Sequence, residues 1–323
     1  MSESSEDIGN TMPPVTLQEI TTPDDPNKSF YLKMKPFVAF KLAIEALLDT
    51  NFSDDGHGMV SAASDSLAIS VVRYENDTAD TVDATATLLL KSSGRIEFQN
   101  NENDTDHTVD LWTPLRLINQ RFPLDRNGDD DFVVLYHLKG TNALRIWFGP
   151  FGNGVEPPTG TEVDIVKCAR VTMFPNLTVL GEITVPVSDI IEMCECMERL
   201  PEDDLSDDTV FIDWKDGFAT FQIGSGEIEQ KWEYQYNQNE RTFQVWFDWY
   251  FMTFIEKASS IADRARVLFL TVPEQHVLFQ FHIGEESADL FLLQKARFEM
   301  SAEDEDVVSN SVTLDTLSNS WLQ

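Results

Sequence analysis

Residues 188–200 read SDIIEMCECMERL, and residues 209–223 read TVFIDWKDGFATFQI. In the first segment, apolar residues recur at helical spacing, and Ser188 is a suitable N-cap for the helix. The second segment has two strand-like runs on either side of the sequence KDG at residues 215–217, which is typical of a hairpin turn. We therefore predict a helix followed by a β-hairpin.

The same order occurs earlier in the chain, where PFVAFKLAIEALLD at residues 36–49 predicts a helix before a hairpin. The further predicted strands are 59–63, 67–74, 84–90, 95–99, 132–138, 143–148, 227–234, 241–247, 266–271, 276–282 and 288–298, and the further predicted helices are 111–120 and 249–262. Two helices in each half cannot cover both faces of so many strands. We predict an α+β fold of two similar domains, in which antiparallel sheets carry the helices on one face.

Polar, acidic segments without periodicity set the predicted domain boundaries. Residues 1–30 and residues 301–323, which include the run EDED at 303–306, are interpreted as disordered tails. The first domain is then predicted at residues 31–169 and the second at 185–300, joined by a connector at 170–184.

The composition limits the classes of function. Lys and Arg number 23 against 56 Asp and Glu, and a net charge of -33 argues against a tight, general nucleic-acid binder. Four explanations of the acidic charge remain: solubility, a high-salt habitat, basic protein partners, or a ring that encloses DNA without binding it tightly. With no signal segment and no apolar run of membrane length, we expect a soluble intracellular protein that contacts no membrane.

The chemistry-bearing residue types indicate no enzyme. Cys168, Cys194 and Cys196 lack the spacing of a zinc site or a disulfide, so we expect buried or free thiols. The acidic loop DRNGDDD at residues 125–131 lacks the glycine position and the glutamate of a calcium loop. Without a phosphate-binding loop, a nucleophile elbow or paired catalytic carboxylates, we expect no cofactor, no metal and no reaction.

Several segments resemble a known family in the order in which they occur. Residues 40–72 (FKLAIEALLDTNFSDDGHGMVSAASDSLAISVV) and 109–120 (VDLWTPLRLINQ) resemble the first domain of the eukaryotic and archaeal DNA sliding clamps, the proliferating-cell-nuclear-antigen family. Residues 131–148 are similar to that domain's second hairpin, and residues 183–200 and 208–229 to the start of the second domain. Residues 243–293 resemble the end of the second domain.

The resemblance implies a non-enzymatic ring of six domains, usually from three chains, with four helices lining a hole for duplex DNA. The partners it implies are duplex DNA, a DNA polymerase, other proteins with clamp-binding peptides and an ATP-driven clamp loader. It places the protein in replication and repair, in a nucleus or a viral replication compartment. The long acidic tails, together with the third helix described below, indicate a viral or otherwise divergent member.

Basic residues near the predicted helices are the candidate DNA-facing residues. The resemblance implies Lys33, Lys35 and Lys41 on the first helix, Arg116 and Arg121 on the second, and Lys257 on the last, with Arg264 just beyond it. The third helix departs from the family, because it carries Glu192, Glu195 and Glu198 where clamps present arginines.

The resemblance also implies a pocket for partner peptides beside the connector. Its expected lining is Leu67, Ile69, Phe174, Pro175, Leu292 and Leu293. The family has a proline after the last of these positions, whereas this sequence has Gln294. For ring closure, the matching edge segments are residues 162–171 and 227–236.

Two alternatives to a homotrimeric clamp stay open. One is another kind of clamp subunit, either a checkpoint-type subunit of a heterotrimer or a viral clamp that acts as a monomer or dimer. The other is a clamp fold that no longer slides on DNA and serves as an interaction scaffold or a DNA mimic, which the glutamates of the third helix favour.

Overall fold

The computed structural model describes residues 17–35, 37–48, 56–63, 65–74, 82–101, 109–122, 132–149, 159–167, 177–200, 209–224, 229–236, 242–248, 250–272, 275–284, 288–300 and 311–312. The first half contains α1 (Leu17–Thr21), β1 (Lys28–Met34), α2 (Phe37–Leu47), β2 (His57–Ala62), β3 (Ser66–Tyr74), β4 (Val82–Lys91), β5 (Ile96–Asn100), β6 (Val109–Pro114), α3 (Leu115–Arg121), β7 (Phe132–Leu138), β8 (Ala143–Gly149), β9 (Thr159–Asp164) and β10 (Val166–Lys167). The second half contains β11 (Leu177–Val185), α4 (Val187–Glu198), β12 (Thr209–Lys215), β13 (Phe218–Ile223), β14 (Gln230–Gln235), β15 (Phe243–Asp248), α5 (Met252–Ile261), β16 (Arg264–Val272), β17 (His276–Ile283), β18 (Ala288–Lys295), β19 (Arg297–Met300) and β20 (Ser311–Val312).

The strands form three antiparallel sheets. The central sheet has ten strands in the order β10-β6-β2-β3-β4-β18-β17-β16-β11-β20. The first flanking sheet has the order β5-β1-β7-β8-β9, and the second has the order β14-β13-β12-β15-β19. The two halves meet where β4 pairs with β18, in a register that runs from Ala288 opposite Leu90 to Gln294 opposite Ala84.

One hydrophobic core joins the three sheets to helices α2 to α5. In α2, the buried residues Phe40, Ala43, Ile44 and Leu47 recur at helical spacing and form one apolar stripe. Alternate residues of β4, β17 and β18 point into this same core. The result is an antiparallel α+β arrangement with α2 to α5 on one side of the central sheet, as predicted.

The structure differs from the prediction in the segment assigned to an N-terminal tail. Residues 17–21 form α1, and β1 begins at Lys28 and pairs with both β5 and β7. The Lys28 ammonium donates hydrogen bonds to the carbonyls of Glu19 at 2.5 Å and Thr22 at 2.7 Å, which ties α1 to the sheet. The sequence of this segment is polar, so it was interpreted as a tail. The composition could not show that Lys28 is buried, because its hydrogen-bond partners are backbone carbonyls.

Three further boundaries differ. The helix predicted at 111–120 starts at Leu115, because Pro114 favours extended backbone in the residue before it and Thr113 continues β6. The described part of the predicted connector, from residue 177, belongs to β11 of the central sheet. Within the second predicted tail, Ser311 and Val312 pair with Thr178 and Leu177.

Candidate nucleic-acid interface and partner-binding face

Four helices form a continuous row on one side of the central sheet. Helix α3 packs against α2, α2 against α5, and α5 against α4. Their apolar sides enter the main core, so their polar sides form a single surface that both halves of the chain share.

Three of the seven predicted DNA-facing cations lie on this row. The ammonium of Lys41 on α2 lies 3.8 Å from the Glu45 carboxylate, and the ammonium of Lys257 on α5 donates to the Glu45 carbonyl at 3.4 Å. Arg116 is exposed on α3, and its backbone N–H donates to the carbonyl of Gly56. The fold thus brings Lys41 and Lys257 together at the seam between the halves, although 216 positions separate them in sequence.

Three other predicted cations lie on strands or beside them, away from the helix row. This corrects the assignment of Lys33 and Lys35 to the first helix, whereas Arg264 was predicted just beyond the last helix. Lys33 belongs to β1, and its ammonium and that of Lys35 lie 4.7 Å and 5.5 Å from the ring centre of Phe132. Because strand residues alternate between faces, these side chains point away from the core that Leu32 and Met34 enter. Arg264 begins β16 and pairs with His282, on the face opposite the buried Ala265.

The remaining predicted cation, Arg121, ends α3, and its side chain lies outside the described part of the chain. Its place relative to the row stays a prediction.

The carboxylates of α4 divide into two groups. Glu195 and Glu198 are exposed, and Glu195 accepts a hydrogen bond from Arg199 at 2.7 Å. Asp189 and Glu192 accept hydrogen bonds from two aromatic residues of β14. The distances are 2.8 Å from the Tyr234 hydroxyl to Asp189 and 3.3 Å from the Trp232 indole N–H to Glu192.

These contacts give part of the acidic character of α4 a structural role. Burial, and then the hydrogen bond to Asp189, raise the pKa of Tyr234, which keeps the phenol protonated as a donor. Sequence reasoning missed these pairs, because about 40 residues separate the partners and neither end has a recognisable motif.

The two segments predicted to close a ring lie at sheet edges. Strand β9 is the last strand of the first flanking sheet, and β14 is the first strand of the second flanking sheet. An edge strand presents unpaired backbone donors and acceptors, which another strand can complete. The described parts of residues 162–171 and 227–236 therefore have the geometry that strand pairing between copies requires.

The predicted partner pocket is divided between two faces of the central sheet. Leu67, Ile69 and Leu292 are buried in the main core beneath the helices, so they cannot line an open pocket. Leu293 points to the opposite, outward face. Phe174 and Pro175 lie outside the described residues, and their role in a pocket stays a prediction.

A second apolar cluster, which includes Leu293, lies on the side of the central sheet away from the helices. We call this the outer cluster. It consists of Leu89, Leu268, Leu270, Leu278, Phe291 and Leu293, with Ala68 and Val179 packed against it. Sequence reasoning missed most of these residues. In β17 and β18 the side chains on both faces of the strand are buried, so the sequence pattern does not show which of them face away from the helices.

A polar network lies beside the outer cluster on the same face. Arg266 donates from Nε to Gln280 Oε1 at 2.6 Å, and His282 Nδ1 lies 2.9 Å from Asp289 Oδ1. Burial lowers the pKa of Arg266, and the nearby Glu182 carboxylate opposes that shift. These cross-strand pairs provide partners for buried polar atoms and link β16, β17 and β18.

Among the described residues, no group of three or more His, Cys, Asp or Glu side chains is arranged to hold a metal ion. The described helices include none that is long and apolar enough to span a membrane. Cys194 and Cys196 are buried and form no disulfide among the described residues, in line with the prediction, whereas Cys168 and the loop at 125–131 lie outside the described residues.

Comparison with known proteins gave one kind of match. No protein-family model matches the sequence, and no curated protein matches it. Among solved structures, the Proliferating Cellular Nuclear Antigen from Entamoeba histolytica is similar with a TM-score of 0.60 at 16% sequence identity. The match covers 84% of this chain and 99% of that chain. This chain has a sliding-clamp fold. The predicted fold class, two tandem clamp domains with antiparallel sheets outside four helices, is thereby confirmed.

A sliding-clamp fold is a non-enzymatic scaffold. In this chain, the row formed by α3, α2, α5 and α4 lies on one side of the central sheet, and β9 and β14 are end strands of the two flanking sheets. The outer cluster faces away from that row, on the other side of the central sheet. The fold therefore provides two separate surfaces, one on each side of the central sheet.

Proposed function

We propose that this chain is a subunit of a ring-shaped DNA clamp, which tethers a polymerase and other replication and repair proteins to duplex DNA without catalysing a reaction. The observation that carries the proposal is the continuous row of four helices from both halves. Lys41, Arg116 and Lys257 on this row can make weak contacts with phosphates, which carry no sequence information and permit sliding.

Ring closure in the proposal pairs β9 of one copy with β14 of the next. Three copies would then enclose DNA, and topology would hold the ring on DNA in place of affinity. This arrangement agrees with the net charge of -33, because a closed ring does not need the dense basic surface of a tight DNA binder. An ATP-driven loader would open the ring, and the proposed compartment is a nucleus or a viral replication site.

The first test is the absolute mass in solution, measured by light scattering after size exclusion. A self-closing clamp should have three times the chain mass of 36.7 kDa. A single-chain mass would contradict the homotrimer. Recovery of a trimeric mass on mixing with candidate partner chains would then identify a heterotrimer subunit.

The second test separates encirclement from ordinary binding. After treatment with a clamp loader and ATP, the protein should stay on nicked circular DNA during gel filtration and leave once the circle is cut. The triple variant K41E/R116E/K257E should lose this retention. The control K33E/K35E/R264E makes the same change in net charge on outward faces and should retain it. Equal loss in both variants would show that the helix row is not the DNA-facing surface.

A second candidate function is an interaction scaffold that does not slide on DNA. The observation in its favour is the exposed set Glu192, Glu195, Glu198 and Glu256 on the second-half helices, which repels phosphate. If the chain is such a scaffold, the wild type and both variants should all fail to stay on circular DNA and on linear DNA in the encirclement test.

A further inference from the structure

Residues 17–28 form a strap, which lies on the face of the first flanking sheet that points away from the core. At one edge of this sheet, Asp24 accepts a hydrogen bond from Gln99 of β5 at 2.6 Å. Towards the other edge, the Glu19 carboxylate of α1 lies 3.2 Å from the Arg145 guanidinium of β8. The strap therefore spans the sheet from β5 to β8, across β1 and β7.

The apolar contact of the strap comes from Ile20, which is buried in a cluster with Tyr31, Val134, Tyr136 and Trp147. Helix α1 itself has five residues. A helix of this length is not stable alone, because isolated helices shorter than about 12 residues are marginal in water. Its order depends on docking to the sheet, so the strap can detach as a local unit while the core stays folded.

The end strand β9 is held on the same face by two side chains of β8, and both of them contact α1. Arg145, which lies beside Glu19, also donates from Nε to Glu162 of β9 at 2.8 Å. The ring of Trp147 lies over Gly160 of β9 so closely that a Cβ atom at this glycine would come within 2.5 Å of it. The same ring belongs to the cluster that buries α1. Two contacts thus run from α1 through β8 to β9.

An end strand depends on such contacts more than a central strand does. In its sheet, β9 has one neighbour, β8, and Val163 anchors its inner side in the core. Segments with few hydrogen-bonded neighbours open locally at a lower free energy than the core does. To pair with β14 of a second copy, β9 must present an extended row of backbone donors and acceptors. Contacts that hold β9 therefore bear directly on pairing.

We propose that the strap braces β9 and thereby controls how well this edge pairs with a second copy of the chain. With the strap docked, Arg145 and Trp147 hold β9 in the extended form that pairing needs. With the strap detached, both side chains lose their contacts with α1, β9 loosens and pairing weakens. The bracing rests on the contacts described above, whereas the pairing with a second copy rests on the proposed function.

The first experiment detaches the strap and measures β9 by hydrogen exchange. The variant E19Q/I20S removes the carboxylate and the apolar side chain that contact β8. The control Q18S/E299Q makes the same change in net charge at two exposed positions. Fragments from residues 159–164 should exchange about tenfold faster in the variant and at the wild-type rate in the control. Fragments from β12 should exchange alike in all three proteins.

A milder variant tests the same contact without removing a buried side chain. E19Q alone leaves Ile20 in its cluster, so circular dichroism should match that of the wild type. The exchange of β9 should still quicken about twofold, because the ion pair with Arg145 is lost.

The second experiment acts from the other end of the contact. G160A places a methyl group where the Trp147 ring lies, so the ring must shift within the cluster that buries Ile20. Fragments from residues 17–28 should then exchange about tenfold faster, because coupling between two sites is reciprocal. The control G94A adds its methyl group in open space and should leave the exchange of the strap unchanged. An effect in one direction without the other would contradict the bracing.

The outcomes separate this inference from the proposed function. A detached strap without faster exchange of β9 would overturn the proposal. Equal acceleration in β9 and β12 would also overturn it, because the strap would then stabilise the whole chain and not one strand.

Light scattering on dilution reads the effect on assembly. Where the wild type has the mass of three chains, E19Q/I20S should dissociate at a protein concentration about tenfold higher than the wild type and the control. Dissociation of all three proteins at one concentration would overturn the control of pairing. A single-chain mass for the wild type, together with the expected exchange rates, would support the bracing and contradict the homotrimer of the proposed function.

Discussion

On the first flanking sheet, α1 covers the outward face, so that Tyr31, Tyr136 and Trp147 are buried. On the second flanking sheet, the outward residues Phe211 and Trp246 pack on each other at 5.1 Å between ring centres and remain partly exposed. The inner sides of both sheets belong to one core. The fold requires the inner faces to be apolar. How far the side chains of each outer face are buried depends on whether a further segment packs on that face.

The helix row shows a second contrast between the halves. The first-half helices present Lys41 and Arg116 with the single acid Glu45, whereas the second-half helices present Lys257 beside four exposed glutamates. Both pairs of helices bury their apolar sides in the same way. Solvent-facing positions are thus free to vary in charge, and DNA in the proposed ring would meet a potential that differs between the two halves.

The largest expected effect concerns the covered and uncovered outer faces. Tyr136→Ala should lower the free energy of unfolding by about 3–5 kcal/mol, because it leaves a cavity beneath α1. Trp246→Ala should cost about 1–2 kcal/mol, because it removes a partly exposed ring with its aromatic and Arg297 contacts. Urea unfolding followed by circular dichroism measures both, and equal losses would contradict the contrast between the faces.

The second-largest effect should be a loss of stability at alkaline pH, caused by the tyrosines that α1 covers. Burial raises the pKa of Tyr31 and Tyr136, so above about pH 10 the unfolded chain releases phenolic protons that the folded chain keeps. The free energy of unfolding should therefore fall as pH rises, by up to about 1.4 kcal/mol per pH unit for each tyrosine. Lys28 acts in the opposite sense below pH 10.5, because burial lowers its pKa.

Tyr31→Phe isolates one of these groups. It should make the decline in the free energy of unfolding between pH 10 and 11 shallower than in the wild type, as measured by urea unfolding at each pH. A slope that the substitution leaves unchanged would show that the outward face of β1 is open to water.

A smaller effect should show how much the hydrogen bond between Tyr234 and Asp189 of α4 contributes to stability. Tyr234→Phe removes the hydrogen bond to Asp189 and should cost about 1 kcal/mol. Thermal unfolding compares it with Tyr250→Phe, a control at an exposed position. If the two variants unfold at the same temperature, Asp189 does not hold β14 and the carboxylates of α4 act only through their charge.

The smallest effect should measure the charge contrast along the helix row. The double variant E195Q/E198Q should bind duplex DNA two- to fivefold more tightly at low salt, about 0.4–1 kcal/mol, and the gain should shrink as salt screens the charges. Fluorescence anisotropy with labelled DNA checks this. The control E97Q/E299Q alters two exposed, outward carboxylates and should bind as the wild type does. Equal gains in both variants would indicate a response to net charge alone.

The sequence by itself determined the repeated order of helices and strands, because apolar spacing and turn residues report local structure directly. The apolar stripe of α2 was predicted in this way. So was the hairpin turn at Asp216 and Gly217, two residues that have positive φ. The acidic surface of α4 was also readable, since Glu192, Glu195 and Glu198 fall opposite its buried residues.

Only the tertiary structure decided which side of the molecule each residue faces. The central strands are buried on both sides, so alternation could not place Leu292 beneath the helices or Leu293 on the outward face. The positions of Lys33 and Arg264 depended on the strands to which they belong, and the meeting of Lys41 with Lys257 depended on the packing of α2 against α5. Such contacts join residues far apart in the chain, and their free energy arises only when the sheets and helices assemble.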